Sequence, residues 1–383
     1  MHLIKEGNIA NKSDLHTADF CQCVSPRCDI HNGDRQPYQP TGGLKMARYR
    51  NNLPQLSSDL FLTDGGIETT LIFREGLELP EFAAFDLLKY DAGYKALEKY
   101  FRTYATLARD YEVGLVLESA TWRANPDWGT KLGYDREALA HMNRRAIALL
   151  HDIRNKYETE KTRMVISGCL GPRGDGYNPA DLMTEDEAQQ YHRQQIEIFH
   201  DADADLVTAI TINYVEEAIG IVRAAKSAGM PVAISFTVET DGRLPTKQTL
   251  SGAIAQVDVA TDYAPAYYMI NCAHPTHFAS VLKVGEPWLD RIRGIRANAS
   301  TKSHAELNEA AQLDDGNPEE LGNQYRELRD KLKNLNVLGG CCGTDHRHVE
   351  AICKAYMPLL WTHLSNGEQL QIHKSPIAHK TLA

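Results

Sequence analysis

The sequence predicts a closed (β/α)8 barrel preceded by an N-terminal extension. Eight short β-rich runs, helical stretches between successive runs, and a total span typical of one barrel support this fold class. Strands that alternate with helices pair in parallel through right-handed crossovers. A doubly wound open sheet is the alternative, because periodicity alone cannot show that a sheet closes.

The eight candidate strands are short and rich in apolar and β-branched residues, as expected for strands buried on both faces. In chain order they are Leu60–Thr63, Val113–Glu118, Met164–Gly168, Leu206–Ile212, Val232–Phe236, Tyr267–Asn271, Gly294–Ala297 and Asn336–Leu338.

Apolar residues recur at helical spacing between these runs, for example from Tyr94 to Leu107. Thr184, with Glu187 three residues later, predicts a capping box at the start of a helix over Glu185–Phe199. Further helices are predicted over Glu216–Ala228 and from near Asp345.

The chain divides into three parts. Residues 1–45 are polar and aperiodic and are predicted to be a poorly ordered extension, residues 46–362 form the barrel, and residues 363–383 form a polar tail, with irregular chain from Pro358 onward. The extension contains Cys21, Cys23, Cys28 and His31. Their spacing fits no standard zinc knuckle, so a second metal site is not favoured there.

Composition excludes several classes of protein. The 383 residues carry a formal net charge of −10, and no basic stripe is present, so nucleic acid is not expected as a partner. Neither a secretory signal nor a membrane span is evident, which predicts a cytoplasmic protein, compatible with a homo-oligomer. In that compartment the eight cysteines are interpreted as thiols or metal ligands rather than disulfides.

Three cysteines are the strongest candidates for chemistry. Cys341 and Cys342 form a vicinal pair in the run GGCCG, where a strand should end and a helix begin, and Cys272 follows another strand end. Active sites of parallel barrels lie at this face. Three thiolates bind Zn²⁺ well and leave a fourth position open, as in catalytic zinc sites. His274 and His277 follow Cys272 and are predicted to open the next helix instead.

This donor set suits one kind of reaction. Zn²⁺ ensures that a bound substrate thiol is deprotonated at neutral pH, and three thiolate ligands keep that sulfur electron-rich. The sequence therefore predicts attack by a substrate thiol on an activated alkyl carbon.

Several motifs, in order, resemble the zinc-dependent homocysteine S-methyltransferase family over roughly residues 58–356. The segments that carry the resemblance are Asp64-Gly65-Gly66, Glu118–Thr121 with Asn125, Gly168–Pro172, Val232–Thr237, Asn271-Cys272 and Gly339–Gly343. The resemblance implies a barrel, one zinc ion held by Cys272, Cys341 and Cys342, and homocysteine as methyl acceptor in methionine formation.

The resemblance also implies substrate contacts. Asp64, Gly65 and Gly66 would hold the amino-acid end of homocysteine, and Ser119 and Ser235 would line the pocket. Alternatively, the glycines form only a tight turn, and the serine hydroxyls are satisfied by nearby backbone.

One position departs from the family pattern. Ile210 stands where family members usually place a glutamate associated with the substrate amino group. Either another acid, such as Glu118 or Glu239, takes that role, or the acceptor is a different thiol. Ser119 and Ala120 also replace the usual Thr-Asn pair.

The methyl donor is narrowed to two classes. The segment after residue 356 is too short for folate and cobalamin modules. The expected methyl donor is therefore a sulfonium compound (S-methylmethionine or S-adenosylmethionine) or a betaine. Trp122, Trp128 and Tyr177 are candidate cation–π partners for such a donor, although ordinary packing is the favoured interpretation of each. A non-catalytic protein with structural zinc is disfavoured, because the two motifs offer only three cysteine ligands.

Overall fold

The computed structural model describes residues 47–309 and 312–364 of the chain. Eight strands pair in parallel in the order β1 to β8, and β8 returns to pair with β1, which closes the barrel. The strands are β1 Phe61–Leu62, β2 Gly114–Glu118, β3 Met164–Leu170, β4 Leu206–Ile212, β5 Val232–Thr237, β6 Tyr267–Asn271, β7 Ile292–Ala297 and β8 Val337–Gly340. The predicted (β/α)8 class is confirmed, and the open-sheet alternative is wrong.

Helices cover the outside of the barrel. They are α1 Asp91–Asp110, α2 Pro126–Lys131, α3 Arg136–Tyr157, α4 Glu185–Asp201, α5 Val215–Ser227, α6 Leu250–Thr261, α7 Pro275–Phe278, α8 His304–Glu309, α9 Pro318–Leu328 and α10 His346–Leu364. The capping box predicted at Thr184 is present, with Thr184 and Glu187 exchanging hydrogen bonds.

Two packed regions hold the barrel together. One lies between the strands and the surrounding helices. The other fills the inside of the barrel with side chains that include Phe61, Val116, Tyr267 and Met269, and Leu53 joins it from the segment that precedes β1. This inner region leaves the carboxyl ends of the strands as the open face.

The N-terminal segment is anchored at the opposite end of the barrel. The backbone N–H of Tyr49 donates to Asp205 at 2.8 Å, and the Arg50 guanidinium donates to the carbonyls of His200 and Ala204, each at 2.8 Å. Asp205 lies immediately before β4. Tyr49 and Arg50 therefore lie on the face away from the strand carboxyl ends.

Of the predictions about the chain ends, the one for the chain after Pro358 can be compared with the described residues. Irregular chain directly after Pro358 is wrong, because α10 continues to Leu364; Pro358 removes one backbone donor without ending the helix. The predicted extension, with Cys21, Cys23, Cys28 and His31, and the tail beyond Leu364 lie outside the described residues. Among the helices described, none is long and apolar enough to cross a lipid bilayer.

Candidate metal centre and substrate cavity

Three cysteine sulfurs converge at the carboxyl ends of β6 and β8. Cys272 follows β6, and Cys341 and Cys342 follow β8. Their Sγ atoms all lie within 4.8 Å of one another, the single such group of three potential metal ligands within residues 47–309 and 312–364. The fold thus brings together the cysteines of two motifs that are 69 residues apart in the chain.

The sulfurs of Cys272 and Cys341 are close enough to be paired as a disulfide. Their Cα atoms are 5.5 Å apart, and the Cys342 sulfur lies 4.0 Å from that of Cys272. This pairing departs from the expectation that the cysteines are thiols or metal ligands. The physical reason is proximity: sulfurs that share one zinc ion, each about 2.3 Å from it, must lie within about 4 Å of one another.

Strained backbone carries the site on the β4 and β6 side. Cys272 has φ +53°, and Thr211 in β4 has φ +62°, which is rare for a β-branched residue. Asn271 holds this arrangement, because its side-chain oxygen accepts from the Thr211 N–H and its amide nitrogen donates to the Thr211 hydroxyl, both at 2.9 Å. Strain of this kind persists only where the surroundings over-determine it.

Ser235 supports Asn271 rather than the cavity. It is fully buried in β5, it is not among the cavity-lining residues, and its hydroxyl donates to the Asn271 side-chain oxygen at 2.7 Å. Its effect on the site therefore passes through Asn271. The motif alone did not indicate whether this side chain faces the cavity.

The loop after β8 is fixed by its own hydrogen bonds. The Cys341 N–H donates to the Ala297 carbonyl at 2.8 Å, and the Cys342 N–H donates to the Asn298 side chain at 3.1 Å. Gly343 has φ +79°, a conformation that favours glycine. These contacts tie the vicinal cysteines to the residues at the end of β7.

A cavity of about 1190 Å³ opens beside the sulfurs. It is lined by Asp64, Gly65, Gly66, Glu118 and Ser119, five of the six residues predicted to contact substrate, and by all three clustered cysteines. The Ser119 hydroxyl is already satisfied by the Cys169 N–H at 2.9 Å and the Thr121 hydroxyl at 2.6 Å. Ile210 also lines the cavity, so its apolar side chain is part of the substrate wall.

A buried ion pair forms the floor of the cavity. Arg296, at the end of β7, pairs with Asp64 at 2.7 Å, and Tyr100 donates to the same carboxylate at 2.8 Å. Burial lowers the pKa of Arg296, but the charges of Asp64 and Glu118 more than offset it and raise that pKa above its usual range. The negative charge of Asp64 is therefore largely neutralised by Arg296.

Glu118 is a buried acid at the end of β2. Burial raises the pKa of Glu118 to about 7, although the Arg296 charge and the hydroxyls of Ser167 and Thr208 act in the opposite direction. A carboxyl with this pKa exists in both protonation states near neutral pH.

Sequence reasoning missed several charged residues of the cavity, among them Glu68 and Arg123, and the role of Arg296. Only Arg296 had a visible signal, since it is a charged residue at the carboxyl end of an otherwise apolar strand. Glu239 was considered as an acid for the substrate, but it pairs with His304 at 3.3 Å. His304 in turn packs against Tyr177, with ring centroids 4.1 Å apart.

The aromatic candidates differ in their access to substrate. Tyr177 lies at the metal centre, with its hydroxyl 3.8 Å from the Cys342 sulfur. Trp122 lines the cavity, whereas Trp128 does not. The ring of Trp128 is covered by Arg123 and Lys131, at 3.5 Å and 3.9 Å from its centroid, so it has no face available for a donor.

The two histidines after Cys272 have structural partners. His274 precedes α7 as its N-cap and accepts from the Thr276 N–H, as expected from the sequence. His277 contacts the Thr301 carbonyl at 2.8 Å. Neither belongs to the cysteine cluster.

The fold and the cluster together define a parallel barrel protein with three clustered cysteines beside a substrate-sized cavity. The model of the homocysteine S-methyltransferase family matches residues 61–356. The chain therefore belongs to the homocysteine S-methyltransferase family.

Curated relatives match a part of the chain. Betaine–homocysteine S-methyltransferase 1 from Bos taurus is 24% identical over 214 residues, which cover 50% of this chain and 51% of the bovine protein. The protein of the same name from Rattus norvegicus is 24% identical over 217 residues, with the same coverage. The chain thus spans about half the length of the curated relatives it matches.

Solved structures share the fold. The oxidised form of the homocysteine methyltransferase MmuM from Escherichia coli has a TM-score of 0.63 at 17% identity, covering 78% of this chain and 97% of that protein. Its metallated form has a TM-score of 0.60 at 16% identity, covering 78% and 96%. At this identity the likeness shows the fold alone.

Proposed function

We propose that this chain is a zinc-dependent S-methyltransferase that moves a methyl group from a sulfonium or betaine donor to the thiol of homocysteine, giving methionine. The observation that carries the proposal is the convergence of Cys272, Cys341 and Cys342 beside one large cavity. Family membership supports the reaction class. The cytoplasmic location and a homo-oligomer remain predictions from the sequence.

The residues fit a zinc ion. Three sulfurs within 4.8 Å of one another are a soft donor set, and in their reduced form they supply three of four tetrahedral positions. Burial, followed by the charge of Glu68, raises the pKa of the Cys342 thiol to about 11. That thiol is therefore protonated near neutral pH in the metal-free protein, and a metal must displace its proton to bind.

Zinc, when bound, supplies deprotonation of the substrate thiol at neutral pH and keeps its sulfur nucleophilic. The sulfur attacks the methyl carbon of the donor, a new carbon–sulfur bond forms, and the bond from that carbon to the donor sulfur or nitrogen breaks. The electron pair of the broken bond leaves with the donor, which loses its positive charge. The thiol proton is released to solvent.

The chain's own residues position the acceptor. Asp64, Gly65 and Gly66 form the wall at β1, and Glu118 and Ser119 form the wall at β2, so we assign these residues to the acceptor pocket. Ser235 acts indirectly, because its hydroxyl holds Asn271, the residue that precedes Cys272.

A second candidate function keeps the chemistry and changes the acceptor. It is favoured by Ile210, because this side chain lines the cavity and can neither accept a hydrogen bond nor balance an ammonium group. A non-catalytic zinc protein is less favoured, because the cysteines border a cavity large enough for two substrates.

A substrate panel separates these functions. Zinc-loaded full-length protein is assayed for transfer of labelled methyl groups from S-methylmethionine, S-adenosylmethionine and betaine to homocysteine and to other small thiols. Turnover of homocysteine with one donor is the expected result. Turnover of another thiol without homocysteine would favour the second candidate, and absence of transfer with every pair would refute a methyltransferase.

A further inference from the structure

Most charged groups of the cavity already have a partner within the protein. Asp64 pairs with Arg296, and Glu239 pairs with His304. Glu68 and Arg123 also line the cavity, but neither forms a side-chain hydrogen bond or an ion pair with another side chain among the described residues. Glu118 lines the cavity too, but the charge of Arg296 already favours its ionised form. Glu68 and Arg123 are therefore an oppositely charged pair of cavity residues without an ion-pair partner among the described residues.

Arg123 is built into the wall of the cavity. It is only 5% exposed, and its guanidinium carbon lies 4.5 Å from the ring centroid of Trp122 and 3.5 Å from that of Trp128. Its Nε is buried without a hydrogen-bond partner. A guanidinium fixed between two indoles loses little further entropy on binding, and its planar set of donors matches a carboxylate.

Glu68 occupies the wall next to the metal centre. It follows the Asp64-Gly65-Gly66 turn and lines the same cavity as Cys342. Its charge also contributes to the raised pKa of the Cys342 thiol. Burial raises the pKa of Glu68 to about 7. A ligand that brings a positive charge would stabilise the ionised form of this carboxylate.

The two groups influence each other without pairing. Both line the same cavity, and the charge of each shifts the pKa of the other, although Asp175 acts more strongly on Arg123. Among the described residues they form no ion pair with each other. Opposite charges that are near but separated suit a ligand that carries both charges itself. Because Ile210 places no carboxylate on the β4 wall, an ammonium group in the cavity needs an acid from another wall, and Glu68 supplies one from the loop after β1.

We propose that Glu68 and Arg123 together bind the zwitterionic end of an α-amino-acid acceptor, Glu68 taking the ammonium group and Arg123 the carboxylate. This inference rests on the proposed function, because it places the acceptor thiol at the cysteine cluster. It explains how a chain with isoleucine at position 210 can still select an amino acid.

Acceptor analogues test each half of the pair separately. Binding to zinc-loaded full-length protein is measured by calorimetry for homocysteine, for 4-mercaptobutanoate, which lacks the ammonium group, and for 3-mercaptopropylamine, which lacks the carboxylate. The native protein is expected to bind homocysteine about 10- to 100-fold more tightly than either analogue, as for the loss of one charged hydrogen bond.

The variants should then show opposite selectivity. Glu68→Gln is expected to weaken homocysteine binding about 10- to 100-fold and to leave 4-mercaptobutanoate unchanged. Arg123→Met should weaken both carboxylates and leave 3-mercaptopropylamine unchanged. A merely structural defect would weaken all three ligands together.

Controls keep the test decisive. The exposed residues Glu160 and Arg102 provide matched substitutions, Glu160→Gln and Arg102→Met, which should bind all three thiols normally. Zinc content and thermal unfolding show whether each variant is folded, and Glu68→Asp and Arg123→Lys should recover part of the selectivity.

Several results would overturn the inference. These are native protein that does not prefer homocysteine over the analogues, variants that weaken all ligands equally, and variants that change only the KM of the methyl donor. The proposed function fails by a different result, absence of methyl transfer to any thiol by native protein. The binding pattern can still be read in that case, so the two failures are distinguishable.

Discussion

Substitution of Cys342 tests the metal centre directly, because this cysteine is not paired with another one. Cys342→Ala should lower bound zinc well below one equivalent and abolish methyl transfer, since two thiolates hold the ion less tightly than three. Metal analysis and a labelled-methyl assay measure both. Cys353→Ala, a buried cysteine of α10 outside the cluster, should retain zinc and activity. A full equivalent of zinc in Cys342→Ala would show that the ligand set is wrong.

Glu118 gives a prediction about stability and pH. Burial raises its pKa from 4.5 to about 7 in the folded chain. Between these values the folded state holds more protons than the unfolded state, so this group's contribution is fully present below pH 4.5 and is lost as pH rises through 7. The loss is worth roughly 3 kcal/mol.

Glu118→Gln should therefore increase the free energy of unfolding at pH 8 and change it little at pH 4.5. Urea unfolding at the two pH values measures the difference. Glu160→Gln, at an exposed position, should show no such dependence. An equal shift for Glu118→Gln at both pH values would contradict the assigned burial effect.

Among individual site residues, those that form recognisable motifs are the ones that the sequence predicts best. The cysteines were found because GGCCG and a strand-end Asn-Cys indicate metal chemistry, and the structure places all three sulfurs together. Glu68 and Arg123 were missed because they belong to no such pattern. Their role depends on burial and on the partners they lack, and both follow only from the folded arrangement.

Among the elements, the loop after β1 supports the loop after β8. A Cβ atom on Gly66 would lie 2.6 Å from the Cys341 carbonyl and 2.8 Å from the Thr69 hydroxyl, closer than real contacts allow. Gly66→Ala should therefore push the cysteine loop outward, lowering the free energy of unfolding by about 1–3 kcal/mol and weakening zinc binding.

Chelator competition and urea unfolding check this prediction. Gly174→Ala is the matched control, because a Cβ there would meet nothing within 4 Å. If Gly66→Ala binds zinc as tightly as Gly174→Ala does, the two loops are not coupled in the way the contacts indicate.

The elements themselves were largely predictable, because each strand and most helices are determined by local apolar patterns. Closure did not follow from these local patterns, since the pairing of β8 with β1 joins residues at opposite ends of the barrel sequence, and it was predicted from the number of strand–helix units instead. The apolar pattern also could not predict the shift in β4–β5 register between Ala209 and Ile212. That irregularity depends on side-chain contacts from Asn271, which lies on a different strand.

In the whole molecule, one end of the barrel carries the candidate site and the other end carries anchoring contacts. The cysteines and the cavity lie at the carboxyl ends of the strands, whereas Tyr49, Arg50 and Leu53 secure the opposite end. Changes that remove the anchor should act on stability and not on the reacting groups.

Two truncations test this separation. Deletion of residues 1–45 should leave methyl transfer and the thermal midpoint unchanged, because the hydrogen bonds of Tyr49 and Arg50 are retained. Deletion of residues 1–52 removes those bonds and should lower the free energy of unfolding by about 1–3 kcal/mol, while the folded protein still binds zinc. Activity assays below the unfolding range, together with urea unfolding, distinguish the two effects. A large loss of activity on deletion of residues 1–45 would mean that the extension contributes to the working site.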